Sequence, residues 1–320
     1  MKILKSFALV FLAVASAQPL MACDICGCFD ANGTCGMGIG PSSKYITEIE
    51  KGLIGGVAEQ FTHFGTLQDD GHRISGNGEY LNSSVSQLFA LYNFNKRFGV
   101  QLNVPIIYRA WGSDIMPHDH TSGIGDMSLV GNFRLYEQIH EKTTLTWTLL
   151  GGVKFPTGNS SRLNTPDEDL PEGIGGHDLA LGSGSFDGIV GTSVYGRWER
   201  WFGSAAVQYG IRTRGDFGHR YANDLLWYGG PGYYAVIKGN YTIAVQAIVG
   251  GETKGKDTFY GVPDEDSAET LVTVGPQINF SWRNKLNVQL AADLPVSRDN
   301  TGQQVLPDYR IRTAVSWKFW

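Results

Sequence analysis

Apolar and polar side chains alternate with a period of two over most of the chain after about residue 44. The clearest example is residues 286–294, where Leu, Val and Ala occupy the even positions and Asn, Gln and Asp occupy most of the odd ones. The stretches 99–109, 143–155 and 241–249 repeat this alternation. Period-two alternation is typical of a β-strand with one apolar and one polar face. The chain is therefore expected to be built from strands.

The pattern predicts twelve strands. We place them at 44–65, 83–95, 99–110, 124–138, 142–155, 184–199, 202–214, 221–239, 240–252, 267–282, 285–297 and 308–319.

The connections between these strands alternate in length. Short turns are expected around 95–97, 139–141, 200–201, 238–240 and 283–285, and longer loops at 66–82, 111–123, 156–183, 215–220, 253–266 and 298–307. Tight periplasmic turns at one end and longer extracellular loops at the other are typical of bacterial outer-membrane barrels. The loop lengths therefore favour this class over a soluble β-sandwich.

Strands would have to carry any membrane crossing, because no apolar run after the N-terminal segment reaches the roughly 18 residues of a transmembrane helix. A sheet in lipid must close on itself to satisfy its backbone hydrogen bonds. The sequence thus predicts an all-β fold: a transmembrane antiparallel up-and-down β-barrel of about twelve strands, covering residues 44–320. Aromatic residues near the expected periplasmic ends would form an interfacial girdle: Tyr92, Phe94, Phe98, Trp198, Trp201, Trp282, Trp317 and Phe319.

Composition agrees with this class. Only 18% of residues are charged, and glycine (42 residues) and aromatic residues (12%) are abundant, as in proteins with many short strands and turns. The net charge of −5 gives no reason to expect nucleic-acid binding.

The N-terminus has the features of a targeting segment. Lys2 and Lys5 precede an apolar stretch, and Ala15-Ser16-Ala17 fits a small-x-small cleavage site. Residues 1–17 are therefore predicted to be a signal peptide, with lipoprotein-type cleavage before Cys23 as the alternative. The predicted location is the outer membrane of a Gram-negative bacterium, with residues 18–43 as a cysteine-rich periplasmic segment.

Three internal stretches resemble a family of transporter-like barrels labelled as the MetA pathway of phenol degradation. They are Gly123-Ile124-Gly125-Asp126, Lys154-Phe155-Pro156-Thr157-Gly158 and Gly182-Ser183-Gly184-Ser185-Phe186-Asp187. The resemblance covers roughly residues 85–320 and implies an outer-membrane channel for small molecules. The chain end, Ser316-Trp317-Lys318-Phe319-Trp320, resembles the aromatic-terminated last strand that outer-membrane proteins present to the barrel assembly machinery, although Trp320 falls on the opposite face from Trp317 and Phe319.

The four cysteines, Cys23, Cys26, Cys28 and Cys35, all precede the predicted barrel. Their close spacing suits copper or zinc ligation by thiolates. Two periplasmic disulfides or acylation of Cys23 are the alternatives. A second candidate metal site, for Zn(II) or Cu(II), is His118 with His120, which lie in an expected extracellular loop.

Charged residues on the polar faces of the strands are the candidate pore lining. They are Arg109, Asp126, Arg134, Lys154, Asp187, Arg197, Arg212, Arg214, Asp293, Arg310 and Arg312. Such a set either selects solutes by charge or forms an ion-pair network that fills a small barrel. The excess of arginine among these residues predicts a weak preference for anions.

The sequence therefore predicts a passive outer-membrane channel or transporter for small solutes, and not an enzyme. An outer-membrane phospholipase would need a serine activated by a neighbouring histidine, and the histidine motifs do not supply one. The alternative function is metal handling, with the N-terminal cysteines and the extracellular histidine loops as binding sites and the barrel as a scaffold.

Overall fold

The computed structural model describes residues 51–319, and these residues form a closed barrel of twelve long strands. In chain order the barrel strands are β1 (Gly52–Asp69), β2 (Tyr80–Asn93), β3 (Phe98–Gly112), β4 (Ser128–Ile139), β5 (Thr143–Lys154), β6 (Asp187–Trp198), β7 (Trp201–Ile211), β8 (Asp224–Lys238), β9 (Tyr241–Lys254), β10 (Glu269–Trp282), β11 (Leu286–Asn300) and β12 (Gln303–Lys318).

Each strand pairs antiparallel with its neighbours in sequence, and β12 pairs with β1 to close the sheet. Register along this seam runs from Ile54 opposite Lys318 to Asp69 opposite Gln303. Closure leaves no edge strand, which a spanning sheet requires in lipid. The predicted fold class is confirmed.

Short elements occupy the connections at the extracellular end. They comprise the strands His72–Arg73, Asp119–Ile124, His219–Arg220, Thr258–Phe259 and Val262–Pro263, the 3₁₀ turns Ser161–Asn164, Asp167–Asp169, Asp216–Gly218 and Glu265–Ser267, and one helical turn, α1 (Gly176–Leu179). The last three of these short strands form a small separate sheet. None of the helical segments in residues 51–319 is long and apolar enough to cross a membrane.

All twelve predicted strands overlap an observed one, but the predicted loop 298–307 is wrong. A two-residue turn, Thr301-Gly302, joins β11 to β12 there, and Gly302 has a φ of 55°. Pro295 and Pro307 lie next to register shifts of the sheet, where proline is tolerated because a ladder hydrogen bond is already missing. The segment 44–50, predicted as the start of β1, lies outside the described residues.

The outer surface of the barrel is apolar. Residues of β11 show the pattern: Leu290 and Leu294 are exposed, whereas Gln289, Ala291 and Asp293 are buried inside. Aromatic rings cluster at the periplasmic turns, with Phe94 stacked on Phe98 at 5.6 Å. Trp282 and Trp317 lie 6.5 Å apart between ring centroids. This arrangement is the interfacial girdle that the sequence predicted.

Glu59 interrupts this apolar surface. It lies on the outer face of β1, between Val57 and Phe61, and is paired in register with Thr313 of β12. Thr313 lies midway along its strand between Trp317 and Tyr309, which places Glu59 at mid-height in the barrel wall. The hydroxyls of Ser84 and Ser86 on β2 both donate hydrogen bonds to its carboxylate. Two local donors therefore replace part of the hydration that a carboxylate loses in lipid.

Candidate functional site

The loop between β5 and β6, residues 155–186, folds over the extracellular mouth of the barrel, and we call it the plug loop. Arg109 on β3 is fully buried. Its guanidinium donates hydrogen bonds of 2.6 Å to the carbonyl oxygens of both Asp178 and Ala180 in this loop. A charged donor on two carbonyls is a strong anchor in a site that excludes water. Arg109 therefore holds the plug loop against the inner wall.

An apolar cluster seals the same contact. Leu170, Ile174 and Leu179 of the plug loop are buried against inward-facing residues near the extracellular ends of the strands, namely Phe64, Leu67, Leu81, Trp111 and Val305. The backbone N–H of Val305 also donates to the carbonyl of Gly173 at 2.9 Å. Burying these side chains stabilises the closed position of the loop.

The three motifs that carry the family resemblance meet at one point beside the plug loop. Lys154 Nζ lies 2.7 Å from Asp126 Oδ2 and 2.9 Å from Asp187 Oδ2. The hydroxyl and backbone N–H of Ser183 donate to Asp126 at 2.8 and 2.9 Å. Asp126 also accepts the N–H of Gly158 at 2.9 Å. Each motif thus supplies one part of a single buried network that fixes both ends of the plug loop.

This network continues around the extracellular rim as an alternating row of charges. Arg212 bridges Asp187, at 3.1 Å, and Asp224, at 2.5 Å. Asp224 is the register partner of Lys254 on β9, and Lys254 is in turn the register partner of Glu269 on β10. Opposite charges at the ends of neighbouring strands neutralise one another at the rim. This pairing is needed because burying an unpaired charge costs free energy.

A second group of charges lies inside the barrel on β9, β11 and β12. Arg312 makes a two-pronged ion pair with Asp293, with Nε and NH2 at 2.6 and 2.8 Å from the carboxylate oxygens. Arg310 pairs with Glu252 on β9. All four side chains are less than a tenth exposed. The Arg312–Asp293 pair joins the adjacent strands β12 and β11, whereas the Arg310–Glu252 pair joins β12 to β9, which is not adjacent to it in the sheet.

Side-chain amides fill the space between these charged groups and the periplasmic end. Gln289 donates to Gln277 at 2.8 Å, and Gln246 donates to Ser204 at 2.8 Å. On the other side of the barrel Gln87 and Gln101 both donate to the side-chain oxygen of Asn103. We call this layer the amide belt. It lines the lumen with hydrogen-bonding groups that carry no charge.

The ion pairs of the interior are balanced. Five cations (Lys154, Arg212, Lys254, Arg310 and Arg312) pair with six carboxylates (Asp126, Asp187, Asp224, Glu252, Asp257 and Asp293), which gives 5 − 6 = −1 for these pairs. The five cations are thus nearly matched by their carboxylate partners. The predicted weak anion preference counted the arginines without most of these partners, so the paired geometry gives it no support.

The remaining predicted pore residues lie elsewhere. Arg134 is near the periplasmic end of β4 and pairs with Glu137 at 2.6 Å. Arg197 is near the same end of β6 and donates to the carbonyl of Glu141 at 3.1 Å. Arg214 is exposed in the loop after β7, because the predicted strand 202–214 runs three residues beyond Ile211. Arg214 therefore does not lie on the lumen face of a strand.

Of the predicted metal ligands, only His118 and His120 lie among the described residues. Cys23, Cys26, Cys28 and Cys35 lie outside the described residues. The Nδ1 atom of His118 is 2.9 Å from the hydroxyl of Tyr80, and the ring of His120 lies beside Tyr108. Neither belongs to the group of possible metal ligands that residues 51–319 bring together, which is His177, His219 and Asp257. The metal role of His118 and His120 remains a prediction.

Sequence reasoning missed Glu252, Lys254 and Asp224 as lumen residues. Glu252 and Lys254 continue the inward-facing parity of Thr242 and Gln246 along β9. Following the polar face of β9 beyond residue 250 would have found both. Asp224 is the first residue of β8, three residues after the predicted start of this strand at 221.

Similarity to known proteins agrees with the barrel. The crystal structure of the COG4313 outer membrane channel from Pseudomonas putida F1 matches with a TM-score of 0.66 at 18% identity, covering 84% of this chain and 96% of that chain. The β domain of the Bordetella autotransporter BrkA matches with a TM-score of 0.46 at 11% identity, over 84% of this chain and 100% of that chain. No curated protein matches the sequence significantly.

The family assignment comes from the sequence itself. Residues 68–306 match the family model described as "Putative MetA-pathway of phenol degradation". This span contains the plug loop, the three motifs that meet at Lys154 and all of the strands from β2 to β11. The chain is therefore an outer-membrane β-barrel that belongs to the family described as the putative MetA pathway of phenol degradation.

Proposed function

We propose that this protein is a passive outer-membrane channel for small solutes, in which the plug loop controls entry from the extracellular side. The buried contact of Arg109 with two plug-loop carbonyls carries the proposal. It places a folded loop inside the mouth of a barrel whose interior is lined by polar side chains. A loop that closes the lumen is a recognised device of outer-membrane barrels.

The chemistry of the interior favours neutral solutes with both apolar and hydrogen-bonding groups. The mouth offers the apolar surface of Phe64, Leu81 and Trp111, and the amide belt below offers donors and acceptors. The charges between these layers are paired, so they provide little net attraction for either sign of ion. Phenolic compounds combine an aromatic ring with a hydroxyl group, and they are the class that the family description suggests.

The comparison with a solved structure and the C-terminal strand β12 both bear on this proposal. The solved structure of similar fold is described as an outer membrane channel, which supports transport over catalysis. The C-terminal strand β12, with Trp317 near its end, would present its aromatic face to the barrel assembly machinery during insertion. The metal-handling alternative rests on the N-terminal cysteines and the extracellular histidine loops, and it would be compatible with a channel.

Solute flux into proteoliposomes tests the proposed function. We expect entry of a small phenol to be faster than entry of a sugar of similar size or of a phenol carrying a sulfonate. The reason is that the apolar mouth and the neutral interior favour the uncharged aromatic solute. Empty liposomes and liposomes containing an unrelated plugged barrel are the controls, because small phenols also cross lipid unaided. Equal rates with and without the protein would reject the channel.

A further inference from the structure

Three extracellular connections, one of them the plug loop, bring possible metal ligands together. His177 is on α1 in the plug loop, His219 lies between β7 and β8, and Asp257 lies between β9 and β10. One ligand atom from each lies within 4.8 Å of the other two. Two imidazoles and a carboxylate are ligands that Zn(II) and its neighbours in the transition series accept.

His219 provides independent evidence for a ligand. Its side chain is only 6% exposed, yet neither ring nitrogen has a hydrogen-bond partner. Leaving a buried polar group unsatisfied costs free energy. Its ring stacks on that of His177, with centroids 6.2 Å apart and planes 13° apart. A bound metal ion would satisfy one of these ring nitrogens.

The surrounding groups orient the other ligands. His177 Nε2 lies 3.0 Å from Asp178 Oδ1, and its Nδ1 faces Asp264 Oδ2 at 3.9 Å. A carboxylate on the far ring nitrogen is the usual support of a metal-bound histidine. Asp257 is fixed by the backbone N–H of Ala222, which donates to Oδ1 at 2.8 Å and leaves Oδ2 toward His219.

We propose that His177 Nδ1, His219 Nε2 and Asp257 Oδ2 bind one divalent transition-metal ion of the Zn(II) class. His219 Nε2 is 3.7 Å from Asp257 Oδ2. Ligand atoms of a tetrahedral zinc site are about 3.4 Å apart, so modest side-chain movements would complete the coordination.

Lys254 competes with the ion. Its ammonium lies 2.8 Å from Asp257 Oδ2 and would be displaced or repelled when the metal binds. Substitution Lys254→Met keeps the length of the buried side chain and removes this charge. The site therefore predicts that Lys254→Met binds the metal more tightly than the unchanged protein does, which a purely structural cluster would not produce.

The bound ion would link the plug loop to two other loops. Tyr221 already joins the same elements by donating from its hydroxyl to the carbonyl of His177 at 2.8 Å. A metal that shares ligands from three loops would hold the mouth closed more firmly than these contacts alone. This consequence depends on the proposed channel function, whereas binding of the ion does not.

Titration calorimetry with Zn(II) alone tests the proposal. The protein is the full chain without a histidine tag, with Cys23, Cys26, Cys28 and Cys35 changed to Ser so that the N-terminal segment contributes no thiolate. We expect one ion per chain. His219→Ala and Asp257→Asn should each weaken binding by about 100-fold. The double variant His118→Ala and His120→Ala should bind like its parent, and Lys254→Met should bind more tightly.

Folding of each variant is checked by the heat-dependent migration of the barrel on gels. Absence of Zn(II) binding, or binding that survives in a folded Asp257→Asn variant, overturns the proposal. Equal affinity for Ca(II) also overturns it, because that result indicates an oxygen site at the neighbouring acidic residues. Loss of binding in His118→Ala with His120→Ala would move the site to that loop. None of these results bears on solute flux, so the channel proposal is tested separately.

Discussion

Asp293 lies directly opposite Arg310 in the register of β11 and β12, yet its carboxylate pairs with Arg312, two residues farther along. Arg310 is left to reach Glu252 on β9. The two pairs together link β11, β12 and β9, and β9 is not adjacent to β12 in the sheet. The charges inside the barrel are therefore tied together as a network and not as neighbouring pairs.

The network predicts how the lumen responds to removal of its carboxylates. Asp293→Asn with Glu252→Gln removes the carboxylates that Arg312 and Arg310 contact and raises the charge of the interior by two. We expect the reversal potential in a salt gradient to shift toward anion preference, because close charges in a narrow lumen are poorly screened. The control is Glu199→Gln, which removes an exposed carboxylate from a periplasmic turn. An unshifted reversal potential in a conducting variant would mean that these charges do not line the solute path.

The pair of Asp293 with Arg312 also leads to a prediction about the stability of the barrel. Asp293→Asn alone leaves Arg312 buried without its carboxylate, and removing one partner of a buried pair costs about 3 kcal/mol. Replacing both residues, Asp293→Asn with Arg312→Met, should recover most of this loss. Unfolding in urea from detergent micelles measures both values. Equal stability of the single and the double variant would contradict the pairing.

The contact of Arg109 with the plug loop leads to a prediction about how easily the loop opens. Arg109→Met removes the donors to Asp178 and Ala180 while retaining an apolar side chain of similar length. We expect protease cleavage within residues 160–180 to become faster on the folded barrel, since cleavage requires the loop to open. Lys285→Met in an exposed turn is the matched control. Unchanged cleavage in Arg109→Met would show that the apolar cluster alone holds the loop.

The carboxylate of Glu59 on the lipid-facing wall leads to a prediction about the stability of the barrel. Glu59→Leu should raise the free energy of unfolding by about 1 kcal/mol, because acidic side chains at mid-membrane depth destabilise a barrel modestly. Val57→Leu, two residues away on the same face, controls for the added apolar surface. A loss of stability in Glu59→Leu would indicate that the hydrogen bonds from Ser84 and Ser86 outweigh the cost of the charge.

The barrel could be predicted from the sequence because lipid imposes one pattern on every strand. Outward positions must be apolar, as at Leu290, Leu294 and Val288, and the turns must alternate with the loops. The interior obeys no comparable rule. Whether Asp293 pairs with Arg310 or Arg312 depends on strand tilt and on side-chain length, neither of which period-two alternation reports.

The loop sites were beyond prediction for a related reason. His177, His219 and Asp257 come from three connections separated by up to 80 residues, and only the folded loops bring them together. The sequence favoured His118 and His120 because they are close in the chain. Nearness in sequence is a poor guide in long loops, whose conformation is set by contacts with the barrel such as those of Arg109 and Trp111.

Single-channel conductance in planar bilayers tests the central claim most directly. The unchanged protein should give small conductance steps, because the plug loop fills the mouth. A variant in which residues 160–180 are replaced by a short glycine-serine linker should give steps at least about threefold larger, since the flow through a short pore rises with its open cross-section. The retained β5 and β6 should still insert and migrate as a folded barrel. Folded protein that conducts in neither form would contradict the account of this barrel as a channel closed by its own loop.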